Sequence, residues 1–323
     1  MADTELLFMP ATRAAALISR KALSPVELTR AVLGAIDREQ PRINAFVTVL
    51  HDQAMDAARK AEQAVMGGTP LGPLHGVPVH VKDQVDTAGV RTTHGSAIFA
   101  DNVPARDDVT VTRLREAGSI LLGKTTMSEF GHKGLTDGPA FGTTRNPWDL
   151  SRTTGGSSGG AAAAVAAGLG PLGLGTDGAG SVRIPAACCG VVGHKATLGS
   201  VPWEASADTF ANNVYAGPLT RTVTDAAVML SVIAGPSGRD AQSLRGPGFA
   251  PVSPSWIGGD LHGLRIGYIA RACNARVQTE MAANTIASLE AFAARGALID
   301  EVTDAIDWME FPGRIMYQAG FAV

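Results

Sequence analysis

The sequence predicts an α/β fold, in which helices pack against a sheet. Apolar runs with the character of strands alternate with amphipathic segments along most of the 323 residues, and this alternation is typical of the class. The 38 glycines are spread in short clusters among the apolar runs, which indicates many tight turns. No internal repeat and no low-complexity linker interrupts the pattern. We therefore expect a single domain over residues 1–323.

Local signals predict the elements of the N-terminal part. Ser24 is the expected N-cap of a helix that carries Pro25 at its first position and Glu27 as the partner in a capping box. A second helix is expected over about residues 53–66, where two glycines follow it. In HGVPVHVKD, valines alternate with other residues, which predicts a strand that ends at Lys82 with this side chain on the face opposite the valines. DDVTVTRLREAG predicts a helix, followed by the strand SILLG.

Further elements are expected along the rest of the chain. The run from Ala161 to Ala167 is apolar on every side, which predicts a helix packed on several faces. GPLGLGTDG then predicts a short buried strand that stops at Thr176 and Asp177. Two more helices, VTDAAVMLSVIAG and VQTEMAANTIASLEAFAARG, are expected, with GLRIGYIA as a strand between them.

Composition limits the classes of function. The formal net charge of −3 provides no basic field that would attract nucleic acid or an anionic membrane, so a small molecule is the expected partner. No apolar stretch reaches the roughly 20 residues of a membrane-spanning helix. The N-terminus lacks the features of a signal peptide. The chain has three cysteines, two of them adjacent, which argues against a disulfide framework and favours the cytoplasm. The seven histidines show no metal-ligand spacing, so no metal is expected. No cofactor is expected either.

The stretch RTTGGSSGG allows three interpretations when it is taken alone. It fits G-x-S-x-G, but a nucleophile elbow requires a buried strand directly upstream, and NPWDLSRTT is polar. Glycines before a helix can also bind a phosphate, although no Lys-Ser or Lys-Thr follows here. The third interpretation is a turn that leads into the alanine helix.

Two longer blocks decide among these interpretations. The segment from Gly155 to Gly199 resembles the amidase signature family at nearly every motif position, and PLHGVPVHVKDQVDTAGVRTTHGS resembles the lysine-bearing segment of that family. The resemblance implies a mixed sheet covered by helices on both faces, with the signature core over residues 24–199. It also implies that the C-terminal part of the usual domain is absent from this chain.

The resemblance assigns a catalytic Ser-Ser-Lys triad. Lys82 matches the family's lysine, Ser157 the bridging serine, and Ser181 the nucleophile, which follows Ser157 by 24 positions as it does in the family. The peptide bond between Gly156 and Ser157 is expected to be cis. The chemistry is reasonable, because a serine hydroxyl needs a nearby base and a buried lysine can be kept neutral by desolvation.

The resemblance also assigns supporting roles. Backbone N–H groups of Gly178, Ala179 and Gly180, together with that of Ser181, are expected to form the oxyanion hole. Ala179 departs from the family's usual Thr-Gly-Gly-Ser and adds a methyl group there. Ser158 and Asp177 are expected to support the loop.

Weaker candidates complete the site. Met127 and Ser128 resemble a family segment that lines the substrate pocket, and ordinary helix-start residues would look much the same. His80 shares a strand with Lys82, which makes it a second candidate base, but a lone histidine is more often a packed or exposed residue. Cys189 matches a position where the family has a buried cysteine, so we expect it to be structural.

The expected function is that of a cytoplasmic amide hydrolase. It would form an acyl-enzyme on Ser181 from a small-molecule amide and release ammonia or an amine. One alternative is the amidase subunit of a tRNA-dependent amidotransferase. Another is a shortened, non-catalytic relative that acts as a binding or assembly module. A homo-oligomer could cover the region where the C-terminal part is missing.

Overall fold

The structure of the protein is a computed structural model that describes residues 3–204, 213–243, 259–271 and 276–303. These residues belong to two compact units, one within residues 1–254 and the other within residues 255–323. All of the motif residues lie in the first unit. The single domain over residues 1–323 stays a prediction.

Helices make up much of the first unit, and their ends follow local signals. Ser24 Oγ accepts hydrogen bonds from the N–H groups of Val26 (3.0 Å) and Glu27 (3.1 Å), which confirms the predicted N-cap. Gly68 ends a later helix with φ of 72°, in the left-handed region that glycine adopts readily. The helices of the described part of this unit are α1 (Asp3–Leu7), α2 (Ala11–Ser19), α3 (Pro25–Ile43), α4 (His51–Gly67), α5 (Val109–Glu116), α6 (Gly159–Ala166), α7 (Arg183–Cys189) and α8 (Val223–Ile233).

A six-stranded mixed sheet forms the centre of the first unit. Its strands are β1 (Phe46–Val49), β2 (Pro78–Lys82), β3 (Ile120–Thr125), β6 (Leu172–Asp177), β7 (Val192–Gly193) and β8 (Tyr215–Thr220), and a separate hairpin contains β4 (Asp137–Gly138) and β5 (Gly142–Thr143). The order in the sheet is β1-β3-β2-β6-β8-β7. Strand β2 pairs in parallel with β3 and β6, whereas the other pairs are antiparallel. Helices pack against this sheet, which confirms the α/β class.

Helix α6 is buried along almost its whole length. Every residue from Gly159 to Val165 is buried, as the helix's lack of a polar face predicts. Its first turn lies directly against the ends of two strands. A Cβ atom at Gly160 would lie 2.5 Å from the Thr126 nitrogen and 2.6 Å from the Ala45 carbonyl oxygen. Only glycine fits there.

The second unit contains a small βαβ arrangement in its described residues. Strand β9 (Arg265–Tyr268) is followed by helix α9 (Thr279–Ala293) and strand β10 (Leu298–Glu301). The two strands pair in parallel, with Leu298 opposite Arg265, and a crossover helix is the usual link between parallel neighbours.

The helices do not have the character of membrane spans. In the described ranges, none of them combines the length and the apolar character that a bilayer span requires. The cytoplasmic location stays a prediction.

Candidate active site

Lys82 and Ser157 are in direct contact at the end of strand β2. The Lys82 side chain is completely buried, and its Nζ donates a hydrogen bond to Ser157 Oγ over 2.6 Å. Lys82 is the last residue of the strand, and Ser157 precedes helix α6, which packs against β2. The fold therefore brings together two residues that are 75 positions apart.

The same ammonium has a second partner that the sequence did not indicate. Lys82 Nζ donates to Thr176 Oγ1 over 2.8 Å, and Thr176 Oγ1 donates to Gln84 Oε1 over 2.7 Å. Thr176 lies on the neighbouring strand β6, and Gln84 is in the turn that follows β2. Only the pairing of β2 with β6 reveals this chain of hydrogen bonds.

Burial changes the acidity of the lysine. Desolvation lowers the pKa of Lys82 to about 7, against the opposing attraction of the Asp177 carboxylate. A large part of the lysine is therefore neutral at neutral pH. A neutral amine can accept a proton, which is the property that a general base needs.

The segment Gly155–Ser158 has the expected backbone geometry. The peptide bond between Gly156 and Ser157 is cis, as predicted, and Gly155 has φ of 69°. Ser158 Oγ donates to the Thr176 carbonyl (3.1 Å) and accepts from the Thr176 N–H (3.2 Å). Ser158 thus fixes the serine segment to strand β6.

Ser181 is held close to this segment. Its carbonyl oxygen accepts a hydrogen bond from the Ser158 N–H over 3.2 Å. The residue is 9% exposed, whereas Ser157 is 1% exposed, so Ser181 is the more accessible of the two hydroxyl-bearing residues. Among the described residues, no hydrogen bond joins the Ser181 hydroxyl to Ser157. The role of Ser181 as nucleophile stays a prediction.

Asp177 organises the loop between the strand and Ser181. Its buried carboxylate accepts from the N–H groups of Gly180 (2.7 Å) and Val182 (3.1 Å). Arg183 donates two more hydrogen bonds to it, each 2.9 Å long. Burial opposes ionisation, but the hydrogen bonds from Arg183 and the backbone outweigh it and hold the pKa of Asp177 below its ordinary value.

The predicted oxyanion loop follows β6 directly. The Gly180 N–H is directed at Asp177, whereas, within the described ranges, the N–H groups of Gly178, Ala179 and Ser181 have no hydrogen-bond partner. Ala179 is exposed, so its methyl group adds little crowding. The oxyanion hole itself stays a prediction.

The two predicted substrate contacts have buried side chains. Met127 is 3% exposed and Ser128 is fully buried, with Ser128 Oγ donating to the Lys133 carbonyl over 3.2 Å. The segment continues towards Lys82 and Ser157, because a Cβ atom at Gly131 would lie 3.2 Å from Ser157 Oγ. Substrate binding by Met127 and Ser128 stays a prediction.

Other candidate residues have simpler environments. His80 is fully buried, and within the described residues neither of its ring nitrogens has a hydrogen-bond partner. Burial raises the pKa of the Cys189 thiol to about 12, and Cys188 raises it further, in keeping with a structural cysteine. Cys273 lies outside the described residues. In the ranges that the structure describes, no group of three His, Cys, Asp or Glu residues could hold a metal ion, and the absence of a metal stays a prediction.

Comparison with protein families gives one extensive match. The family described as Amidase matches residues 27–310. The matched region contains the lysine, both serines and the alanine helix.

Individual relatives agree with the family match. An acylamidase of Rhodococcus erythropolis is 44% identical over 303 residues, which cover 94% of this chain and 63% of the relative. A glutamyl-tRNA(Gln) amidotransferase subunit of Acidothermus cellulolyticus is 45% identical over 266 residues, covering 82% of this chain and 52% of the relative. The chain thus spans between half and two thirds of the length of these relatives.

A solved structure has the same fold. A bacterial aryl acylamidase of the amidase signature family superposes with a TM-score of 0.86 at 34% sequence identity. The match covers 91% of this chain and 61% of that structure's chain.

Proposed function

The chain belongs to the amidase family, and on this basis we propose that it hydrolyses small-molecule amides through an acyl-enzyme on Ser181. The observation that carries the proposal is the fully buried Lys82, whose Nζ lies 2.6 Å from Ser157 Oγ and whose pKa is lowered to about 7. A base of this pKa beside a hydroxyl group is suited to proton transfer at neutral pH.

The first half of the reaction forms the ester. Neutral Lys82 takes the proton of the Ser157 hydroxyl, while Ser157 takes the proton of Ser181. The Ser181 oxygen then attacks the amide carbon, and the carbonyl oxygen becomes an oxyanion. When the C–N bond breaks, the proton returns through Ser157 to the departing nitrogen, which leaves as ammonia or an amine.

The second half consumes water. A water molecule gives its proton to the same relay and attacks the ester carbon, and the bond to Ser181 Oγ breaks as that oxygen regains a proton. The products are the carboxylic acid and the free serine. One amide and one water therefore give one acid and one amine.

The oxyanion would be stabilised by the loop after β6. We assign this role to the N–H groups of Gly178, Ala179 and Ser181. The fourth donor that the sequence predicted, the Gly180 N–H, is left out because it already donates to Asp177. The ion pair of Asp177 with Arg183 keeps the loop in position.

The first substrate panel consists of simple aliphatic amides and aryl amides, because two similar proteins are named as an acylamidase and an aryl acylamidase. The test compares wild-type protein with Ser181→Ala, Ser157→Ala and Lys82→Ala, and uses the exposed Ser151→Ala as the control. We expect the three site variants to lose hydrolysis and the control to retain it. Full activity in Ser181→Ala would overturn the mechanism.

Chemical labelling separates catalysis from binding. A serine-reactive fluorophosphonate should modify wild-type protein at Ser181, which mass spectrometry of the intact chain and its peptides would locate. Ser181→Ala should not be modified there. A non-catalytic assembly module would give no adduct even in the wild-type protein.

A second candidate is the amidase subunit of a tRNA-dependent amidotransferase. The 45% identity to the glutamyl-tRNA(Gln) amidotransferase relative favours it. Isolation of a stable complex with a second protein, together with glutamine-dependent turnover, would support this function. Sedimentation of the purified chain would distinguish such a complex from the proposed homo-oligomer.

A further inference from the structure

A second buried lysine lies on the strand next to β2, the strand that ends at Lys82. Lys124, on β3, is completely buried and takes no part in the proposed reaction. In the parallel pairing of β2 with β3, Val81 is opposite Lys124 and Lys82 is opposite Thr125. Because side chains alternate along a strand, Lys82 and Lys124 leave the sheet on opposite faces.

The Lys124 ammonium is saturated by a single segment of the chain. It donates to the Val85 carbonyl, to Thr87 Oγ1 (2.9 Å) and to Thr92 Oγ1 (3.1 Å). A lysine ammonium has three N–H donors, and each has an acceptor here. All three acceptors lie in residues 83–95, which follow β2 directly and which we call the clamp segment.

The clamp segment is linked to the catalytic lysine by one turn. The Val85 N–H donates to the Lys82 carbonyl over 3.0 Å, while the Val85 carbonyl accepts from Lys124. Gln84, inside this turn, accepts the hydrogen bond from Thr176, the second partner of Lys82. Lys124 therefore holds the end of the turn that carries both Lys82 and Gln84.

A carboxylate holds the other end of the clamp segment. Asp83 accepts from the N–H and the hydroxyl of Thr93 and from the Gly95 N–H (3.4 Å). The carboxylates that attract the Lys124 ammonium are Asp83, Asp86, Asp107 and Asp108. Burial lowers the pKa of Lys124 to about 8, and these four carboxylates oppose that decrease. An ammonium with three acceptors and four nearby carboxylates is suited to hold a turn.

We propose that Lys124 is a positioning residue for the reaction: its ammonium fixes the clamp segment and so keeps Lys82 dry and aligned with Ser157 and Thr176. The inference rests on the proposed function, in which Lys82 is the base. If the clamp segment loosens, water reaches Lys82 and the desolvation that lowers its pKa decreases. A change on one face of the sheet then alters the acidity of a group on the other.

The test measures the acidity of Lys82 through the reaction of Ser181. The rate at which a fluorophosphonate phosphonylates Ser181, with release of fluoride, is followed from pH 5 to pH 10 for wild-type protein, for Lys124→Met and for the matched control Leu122→Ala. Leu122 is equally buried in the same strand, so its truncation weakens β3 without removing the ammonium. In Lys124→Met we expect the midpoint of the pH profile to rise by about one unit, which makes phosphonylation at pH 6 about tenfold slower. In Leu122→Ala we expect the wild-type midpoint.

Amide hydrogen exchange supplies a readout that needs no activity. Lys124→Met should accelerate exchange in residues 83–95 above its effect on the rest of the sheet, whereas Leu122→Ala should not single out these residues. If Lys124→Met does not fold, Thr87→Val and Thr92→Val each remove one acceptor and should give smaller shifts in the same direction.

The possible outcomes are distinguishable. A wild-type midpoint in Lys124→Met, or exchange at residues 83–95 no faster than in Leu122→Ala, would overturn the proposal. If the fluorophosphonate does not modify Ser181 of the wild-type protein, the proposed function fails, and the exchange comparison still supports or overturns the clamping by Lys124.

Discussion

Thr176 Oγ1 accepts a hydrogen bond from Lys82 Nζ over 2.8 Å and donates one to Gln84 Oε1 over 2.7 Å. The lysine thus has one hydroxyl partner on the serine segment and another on the adjacent strand. Together the two contacts fix the direction of the amine, which a flexible four-carbon side chain could not maintain alone.

Replacement of Thr176 should impair catalysis more than folding. Thr176→Val keeps the shape of the side chain but removes the hydroxyl, so Lys82 and Gln84 each lose a buried partner. The loss of such a hydrogen bond costs about 1–3 kcal/mol, and we expect kcat for amide hydrolysis to fall about 10- to 100-fold. Thr176→Ser restores the hydroxyl and should recover most of the rate. A wild-type kcat in Thr176→Val would contradict the assigned role.

The pH dependence of Ser181 reactivity should reflect Lys82. Because its neutral form is the proposed base and its pKa is about 7, the rate at which Ser181 is phosphonylated should be low at pH 5, half-maximal near pH 7 and constant at higher pH. The measurement is the labelling rate with a fluorophosphonate over this range. In Lys82→Met the remaining rate should lose the transition near pH 7, and a retained transition would assign it to another group.

Asp177 should be required both for the stability of the fold and for the position of the loop that carries Ser181. Asp177→Asn presents an amide N–H₂ group where the carboxylate now accepts from Gly180, Val182 and Arg183. Because the Arg183 side chain is 53% exposed, we expect a loss of about 1–3 kcal/mol in the free energy of unfolding, with phosphonylation of Ser181 by the fluorophosphonate at least about tenfold slower.

The control for this variant is another ion pair. Arg152→Gln breaks the exposed pair with Asp149 and should lower the free energy of unfolding much less than Asp177→Asn does, because solvent screens an exposed ion pair. Urea denaturation of both variants provides the comparison. Equal losses of unfolding free energy in the two variants would show that the buried Asp177 carboxylate stabilises the fold no more than an exposed ion pair does.

His80 should make the fold sensitive to acid. Burial, together with repulsion by Arg221, lowers the pKa of His80 to about 3 in the folded chain, from an ordinary value of 6.5. Between these two values the unfolded chain binds the additional proton, so stability decreases as the pH falls from 6.5 towards 3. From pH 6.5 to pH 5 the contribution is about 2 kcal/mol.

A substitution isolates this effect. His80→Leu fills the same apolar site beside Phe46 without a titrating group, so its melting temperature should fall less between pH 7 and pH 5 than that of the wild-type protein. His132→Gln, at an exposed position, should keep the wild-type pH dependence. A His80→Leu protein that is as sensitive to acid as the wild type would contradict the assignment.

Local patterns were sufficient for many elements of the fold. The cap at Ser24, the buried alanine helix and the strand ending at Lys82 each follow from the residues within one or two turns. The pairing of β8 with β6 could not be predicted in this way. It joins segments about 40 residues apart in antiparallel register, and loop closure between them leaves no local sequence signal.

In the candidate site, too, some residues could be predicted from the sequence and others only from the structure. Motif resemblance predicted Lys82, Ser157 and Ser181, whereas the contacts of Thr176, Gln84 and Lys124 became evident only from the structure. One signal for Lys124 was present in the sequence, because a lysine within the apolar run ILLGKT is out of place unless its charge has partners. The sequence could not name those partners, since they come from a turn about 35 residues upstream.

The small side chains of helix α6 determine how closely the Ser157 segment approaches the sheet. Helix α6 carries only hydrogens and methyl groups along most of its surface, and its first turn lies so near the strand ends that a Cβ atom at Gly160 would clash with Thr126 and Ala45. Ser157 lies two residues before the helix, and its Oγ is 2.6 Å from Lys82 Nζ at the end of β2. A serine hydroxyl extends only one carbon beyond the backbone, so this contact depends on the close approach of the two layers. Bulkier residues in the helix should therefore move the Ser157 hydroxyl out of reach of Lys82 and interrupt the proposed relay.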